Sequence, residues 1–350
     1  MSEPVTPSRR LRPRTVTLLL ACAVVLLVGL AGATVPVPWV ALGPGPTFNT
    51  LDSKDGTPVV SVEGLPTYPT SGHLNMTTVS VTDGLTMFQT LGVWVDPNEQ
   101  VVPRNAVFAP GRTQEQIDAK NTQDFSDSES SAVSAALNYL KLPVRVFVGA
   151  TPASLPTHPV LQPGDQIVAV AGHDITRIDE IRTALTGTTP GQQVPVRIVR
   201  GDAPQDVTVT LVALPGSTQG GLGIAPVAKP ASPDDKITIS LSGVGGPSAG
   251  LMFSLAVVDR LTPGELTGGS FIAGTGEIGP TGDVGIISGI PLKLIAAKEA
   301  GAQTFLVPAG NCAEARANAP DGLTLVKVDG LADAVADLDT LRTGGTPPTC

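Results

Sequence analysis

The sequence predicts a multidomain chain of mixed α+β and α/β class: an apolar N-terminal helix, a β-rich module in the middle and an α/β domain at the C-terminal end. Three observations carry that prediction. From Thr15 to Ala33 the chain reads TVTLLLACAVVLLVGLAGA, and no charge appears before Asp52. Residues 144–212 are dominated by short apolar runs punctuated by Pro and Gly, whereas from Ile237 onward strand-like and helix-like runs alternate. Aromatic residues make up only 3% of the chain, so the cores must rest on aliphatic side chains.

The apolar stretch, as a helix, is roughly 28 Å long, close to the ~30 Å hydrocarbon thickness of a bilayer. Arg9, Arg10, Arg12 and Arg14 precede it in the basic segment 1–14 and set an orientation with the N-terminus inside. Trp39 stands where an interfacial anchor would. A cleaved signal peptide ending at Ala31-Gly32-Ala33 is the competing reading, but the stretch exceeds the ~7–15 residues of a signal core. Residues 15–34 are therefore expected to be a single-pass membrane anchor, with the body outside the cytoplasm.

Residues 35–142 are expected to be a juxtamembrane segment followed by a part that packs with the C-terminal domain. Its start, TVPVPWVALGPGPTFNTL, carries too much Pro and Gly for a helix or a central strand and reads as extended. VVSVEG and HLNMTTVSV alternate as strands do, and Ser128–Leu142 reads as a helix halted by Pro143. Residues 143–214 form the β-rich module, in which Pro163-Gly164-Asp165 turns into a strand. Residues 215–235, PGSTQGGLGIAPVAKPASPDD, read as a linker. Residues 236–342 supply the α/β domain and 343–350 a short tail.

Without the first 14 residues the chain holds 18 basic and 30 acidic residues, a net charge of −12. A body that acidic, with no basic cluster, argues against a nucleic-acid partner. Cys312 and Cys350 are an even pair outside the apolar span, and in an oxidising compartment they suggest a disulfide.

Gly245-Gly246-Pro247-Ser248-Ala249-Gly250 lies between the strand-like ITISL and a helix starting near Leu251. Such a turn holds a hydroxyl outward, and backbone N–H groups at a helix start can receive an oxyanion. The bland alternative is a Ser248 that only caps the helix. The stretch also fits the G-x-S-x-G elbow of α/β-hydrolases, which needs a histidine downstream. The three histidines, His73, His158 and His173, all lie upstream. A serine without histidine can use a neutral lysine. Lys293, among Ile290, Pro291, Leu292, Leu294 and Ile295, sits where burial would lower its pKa; Lys298, next to Glu299, reads as solvated.

Two resemblances follow from these residues. Thr151-Pro152-Ala153, Leu161 to Asp165 and Arg200-Gly201 resemble a PDZ domain of the bacterial protease-associated type, which implies capture of a peptide C-terminus as an added strand; its carboxylate loop would fall near Val148–Ala150. Gly246 to Gly250, Thr275-Gly276-Glu277-Ile278 and Gly289 to Leu294 resemble, in order, the conserved segments of Lon proteases. With the anchor and Gly43-Pro44-Gly45-Pro46-Thr47-Phe48, the arrangement is similar to the PDZ-containing Lon-like proteases of bacteria, with the PDZ unit inserted in the protease fold. The resemblance implies Ser248 as nucleophile and Lys293 as general base of a serine endopeptidase. It makes Thr275 and Glu277 supporting residues, and Gly246, Pro247 and Ala249 the oxyanion turn. It implies a polypeptide substrate, a homo-oligomeric ring, and neither cofactor nor metal.

Two departures qualify it. Gly245 occupies a position where many ATP-dependent Lon enzymes carry an aspartate, and no phosphate-binding G-x-x-x-x-G-K-[ST] loop occurs, so the expected enzyme is ATP-independent and takes extended or flexible chains. The alternative is a catalytically latent, membrane-anchored PDZ adaptor whose Lon-like domain is a scaffold.

Overall fold

The computed structural model describes residues 13–109 and 111–350. Arg9, Arg10 and Arg12, expected to orient the anchor, lie outside the described residues. In chain order the principal elements are α1 (Pro13–Thr34), β1 (Trp39–Asn49), β2 (Val60–Glu63), β3 (His73–Thr82), α2 (Met87–Trp94), β4 (Gln100–Pro103) and α3 (Gln114–Tyr139). The middle region holds β5 (Val144–Ala150), β6 (Gln166–Val170), α4 (Ile178–Ala184), β7 (Gln193–Arg200), β8 (Ala203–Thr210) and β9 (Ala225–Pro230). Then come β10 (Lys236–Ile239), α5 (Gly250–Leu261), β11 (Phe271–Gly274), β12 (Glu277–Ile278), β13 (Val284–Gly285), α6 (Ile290–Glu299), β14 (Thr304–Pro308), β15 (Thr324–Val328) and α7 (Leu331–Arg342). These elements form two compact units, one running through Gly43 and including Ser80–Gly111, the other Pro44–Val79 with Arg112–Cys350.

In the first unit, Arg14–Thr34 is long and apolar enough to cross a membrane, with a mean hydropathy of 2.7. The first residues of β1 pair antiparallel with β4, Trp39 opposite Pro103 and Leu42 opposite Gln100. Thr86 caps α2 through a reciprocal bond with Gln89.

The second unit is built on a largely parallel sheet. β15, β14, β11 and β3 pair side by side in parallel, and β1 follows β3. One face of the sheet is covered by α5, whose residues Leu251 to Val258 are all buried, and by α3 and α7 over a shared aliphatic core. Phe125 of α3 meets Phe253 of α5 edge to face, with ring centres 5.7 Å apart. The other face packs on α6 through Ile290, Leu294 and Ala297. Helices on both faces of a parallel sheet are what buries a strand such as TFLVP, which is buried at every position.

Three expectations change. The stretch with Gly43-Pro44-Gly45-Pro46 is not an unpaired juxtamembrane segment: it runs through β1, a strand of the main sheet. Pro44 and Pro46 are tolerated because the β4 pairing stops at Leu42, which leaves no ladder N–H needed on that side. Gly45 is required there, since a Cβ would lie 2.3 Å from Thr78 Oγ1. The helix expected over Ser128–Leu142 instead starts at Gln114, where Thr113 and Gln116 form a capping box. Finally, 215–235 is not a plain linker. Its residues Ala225–Pro230 form β9, which pairs antiparallel with β5 and completes the sheet β8-β7-β6-β5-β9. β9 is an edge, which accommodates Pro226 and Pro230.

That sheet closes over its own core of Val146, Leu161, Ile167, Ile198 and Val209. Arg200 grips Asp165 with two bonds of 2.7 Å, from Nε and Nη2. The Pro-Gly-Asp turn is thereby tied to the β7–β8 hairpin, and the sequence signals at 163–165 and 200–201 meet in space. Cys312 and Cys350 form a disulfide. The tail is fastened beside β15, with Cys350 N–H donating to Leu325 O and Lys327 N–H to Pro348 O.

Candidate active site

β10 pairs with β2 and delivers the chain into the loop Gly243–Ala249, which feeds α5. Gly246 has φ +85°, a left-handed conformation that suits glycine. Its N–H donates to Asn121 O at 3.1 Å, and Ser128 Oγ donates to Pro247 O at 3.1 Å. Both partners lie on α3, so that helix holds the loop from behind. Ser248 is not the helix cap: the N-cap is Ala249, and no side chain caps α5. Gly250 must be glycine, because a Cβ would sit 2.6 Å from Ile278 Cγ2 and 3.0 Å from Ser128 Oγ.

The lysine arrives from the opposite side. Gly289, at φ +74°, turns the chain into α6, and Lys293 lies in its first turn. It is 3% exposed. Its Nζ lies 2.7 Å from Ser248 Oγ, 2.9 Å from Thr275 Oγ1 and 3.1 Å from Thr77 O. Burial pushes the ammonium down from 10.5 to about 7. Lys298 is exposed and bonds Gly322 O instead.

Thr275 is fully buried at the end of β11, and its Oγ1 donates to Ser248 O at 3.0 Å. Gly276 N–H donates to the same carbonyl at 2.9 Å, so the loop that carries Ser248 is also pinned to the chain that follows β11. Glu277 lines the cleft in front of Ser248, and its carboxyl is raised by desolvation and by nearby Asp124. The cleft encloses about 420 Å³ and runs past Phe48, Met76 and Val79 to Ile287, all apolar, with Ser248 and Lys293 in its wall.

None of the histidines lines this cleft. His73 stacks on Phe271, and His158 bonds Thr151. Of the residues expected to form an oxyanion turn, Gly246 has its N–H engaged by Asn121 O and Pro247 has no N–H, whereas Ala249 is the N-cap of α5. Gly245, where an aspartate was the alternative, packs so that a Cβ would stand 3.0 Å from Asn121 Cβ. Sequence reasoning missed Thr77, Asn121 and Ser128. Thr77 acts through a backbone carbonyl, which no side-chain pattern reveals; the capping box at Thr113 would have extended α3 back to Asn121.

A second groove of about 440 Å³ lies beside β9, between Ile178 and Ile181 of α4 with Leu185 just after it and the stretch Gly220–Ile224. Val148–Ala150, expected near the carboxylate loop, is instead paired with β9. The edges of this sheet are β8 and β9; β9 is the one beside the groove, and its Ala228 N–H is bonded to Ser134 of α3.

Residues 122–211 match the model of the PDZ domain, and residues 242–337 match that of the Lon protease (S16) C-terminal proteolytic domain. Each region is similar to its family across that range, so the chain combines a PDZ domain with a Lon-type proteolytic domain. Among solved structures, the PDZ domain of an SdrC-like protein from Listeria monocytogenes is 24% identical, covering 23% of this chain and 86% of that one, with a TM-score of 0.22. The corresponding domain from Listeria innocua is 21% identical, covers 23% and 90%, and has a TM-score of 0.22. A solution structure from Geobacillus thermodenitrificans is 26% identical, covers 23% and 93%, and has a TM-score of 0.21. No curated protein matches the chain.

Proposed function

We propose that this chain, with its Lon-type proteolytic domain, is an ATP-independent serine endopeptidase in which Ser248 is the nucleophile and Lys293 the general base. The observation that carries the proposal is the 2.7 Å approach of a buried Lys293 Nζ to Ser248 Oγ. Such a distance is within the reach required of a base that takes the proton of its nucleophile.

The three oxygens around Nζ can take the three N–H groups of an ammonium, and the proton inventory closes for a neutral lysine as well. A neutral amine has two N–H groups and one lone pair. Thr77 O can only accept, so it takes one N–H. Thr275 Oγ1 gives its own proton to Ser248 O and therefore accepts the second. The lone pair is left for the proton of Ser248 Oγ. Attack on a peptide carbonyl then passes that proton to Lys293, and the ammonium gives it to the leaving amine. The acyl-enzyme is hydrolysed by water activated by the same amine. The N–H groups of Ser248 and Ala249 stand to receive the oxyanion at the start of α5.

Access through the cleft suits an extended chain, and no phosphate-binding loop occurs in the sequence to drive unfolding. The PDZ domain suggests that the same chain also binds peptides; a free C-terminus would add to β9 beside α4. With α1 as a single-pass anchor, both sites would work outside the cytoplasm, and self-assembly into a ring is the arrangement the Lon resemblance implies.

The direct test is cleavage of unfolded casein and a peptide library by the full chain without nucleotide. Cleavage should vanish in Ser248→Ala and in Lys293→Ala. An inert wild type would favour the latent adaptor; activity retained in Ser248→Ala would eliminate the serine mechanism.

A further inference from the structure

We propose that α2 is a second membrane contact: an interfacial helix that lies in the headgroup boundary of the bilayer entered by α1. The inference rests on the anchor reading of α1 and adds a new surface to it.

The helix is inside out for a globular surface. On a helical wheel Met87, Phe88, Leu91, Trp94 and Val95 share one face of about 120°. All five are exposed, Trp94 to 74% and Val95 to 77%. The partly covered positions, Thr90 and Val93, lie on the other side, and α2 has no buried residue. A soluble surface rarely presents so contiguous an apolar stripe without something to cover it.

The occupant follows from where α2 is held. Gly32 is the one buried residue among those described in α1, and a Cβ there would meet the Phe88 ring at 3.2 Å and Met87 Cε at 3.3 Å. Gly32 stands two residues before the end of α1, hence ~3 Å below it at 1.5 Å per residue. If the nineteen apolar residues fill the hydrocarbon, that point is the boundary, and α2 starts there. Val37 N–H donates to Leu85 O, and Pro36 bridges Thr86, so the chain leaving α1 is tied to the chain entering α2. The exposed face is thus continuous with the lipid-facing surface of α1. A tryptophan at the far end of an apolar face matches the composition of the interfacial belt.

The chain has two tryptophans, so Trp39→Phe leaves Trp94 as a single reporter. Cys22, the one free and exposed cysteine, accepts an environment-sensitive dye in the middle of α1. The full chain is reconstituted into phosphatidylcholine nanodiscs, with and without lipids brominated just below the headgroup. We expect a blue-shifted Trp94 emission that brominated lipid quenches, and a Cys22 dye reporting an apolar medium. Replacing Phe88 and Leu91 with Glu should return Trp94 to a water-like, unquenched spectrum. A water-like Trp94 beside a shielded Cys22 overturns the proposal while the anchor stands. If both are in water, the anchor reading falls and takes the proposal with it. A blue shift that bromine does not quench means a second copy covers the face, and overturns it too. The unmutated protein, compared in the same discs, guards against an effect of Trp39→Phe itself.

Discussion

The sharpest consequence of the site concerns pH. Lysine at its ordinary 10.5 would be neutral at pH 7 in only ~3 molecules in 10⁴, whereas at about 7 half are neutral. Burial at 3% exposure therefore raises the population of competent base roughly a thousandfold. The rate of Ser248 acylation should rise tenfold per pH unit below 7 and level off above it, so that at pH 5.5 it is roughly 30-fold below the plateau. Labelling by a fluorophosphonate, followed from pH 5.5 to 8.5, reads this step without a titrating substrate. Glu129, raised by burial to about 7, titrates in the same window, but lines a different groove with Arg145 and Lys236. Glu129→Gln should therefore leave the inflection in place. A flat profile, an inflection above pH 9, or the loss of the inflection in Glu129→Gln would each refute the assignment to Lys293.

Four further outcomes are expected. Thr275→Val removes the acceptor of one lysine N–H and the donor to Ser248 O; it should cost roughly 1–3 kcal/mol, or about 5- to 160-fold in kcat, with KM little changed and Thr275→Ser largely restoring the rate. Gly250→Ala forces a Cβ against Ile278 and Ser128 and should lower stability by about 1–3 kcal/mol, read from the denaturant midpoint, together with activity. Breaking the Cys312–Cys350 bridge, which spans 38 residues, should cost up to about 4 kcal/mol by the loop-entropy relation, seen as a lower thermal midpoint in Cys350→Ser or in reductant. In the second groove, Ile181→Asp should weaken binding of free C-terminal peptides at least about tenfold by fluorescence anisotropy, because it puts a charge on the apolar wall opposite β9; equal binding of amidated peptides would discount carboxylate recognition.

Much of this arrangement was legible in the residues, for identifiable reasons. Strands such as TFLVP and helices such as GLMFSLAVVDRL are long apolar or periodic runs whose local signal and final burial agree. Ser248 and Lys293 were singled out because the chemistry needs a base and the histidines stood in the wrong order; the fold brings the two side chains, 45 residues apart in sequence, to 2.7 Å. The misreadings occur where tertiary context overrides local composition. Pro44 and Pro46 argued against a strand, yet β1 accepts them beyond the reach of β4. Residues 225–230 looked like a linker because an edge strand can carry two prolines. The polar first half of α3, QEQIDAKNTQDFSDS, lacks helical periodicity, being exposed except at residues such as Ile117 and Phe125.

That misread helix explains why the chain resists division into consecutive domains. α3 reaches back to Asn121, whose carbonyl holds Gly246, and to Ser128, which holds Pro247. Two turns further on, Ser134 accepts the N–H of Ala228 in β9 at 2.8 Å. From Asn121 to Ser134 is 13 residues, ~20 Å of continuous helix. The matched PDZ range begins at residue 122, inside this helix, while the helix packs on α5 in the core of the proteolytic domain. One helix therefore packs in the core of the proteolytic domain and is hydrogen-bonded both to the loop that carries Ser248 and to β9 of the other sheet. The expected boundary at residue 142 or 143 falls in the turn between the end of α3 at Tyr139 and the start of β5 at Val144, so α3 itself stays whole on the N-terminal side of it.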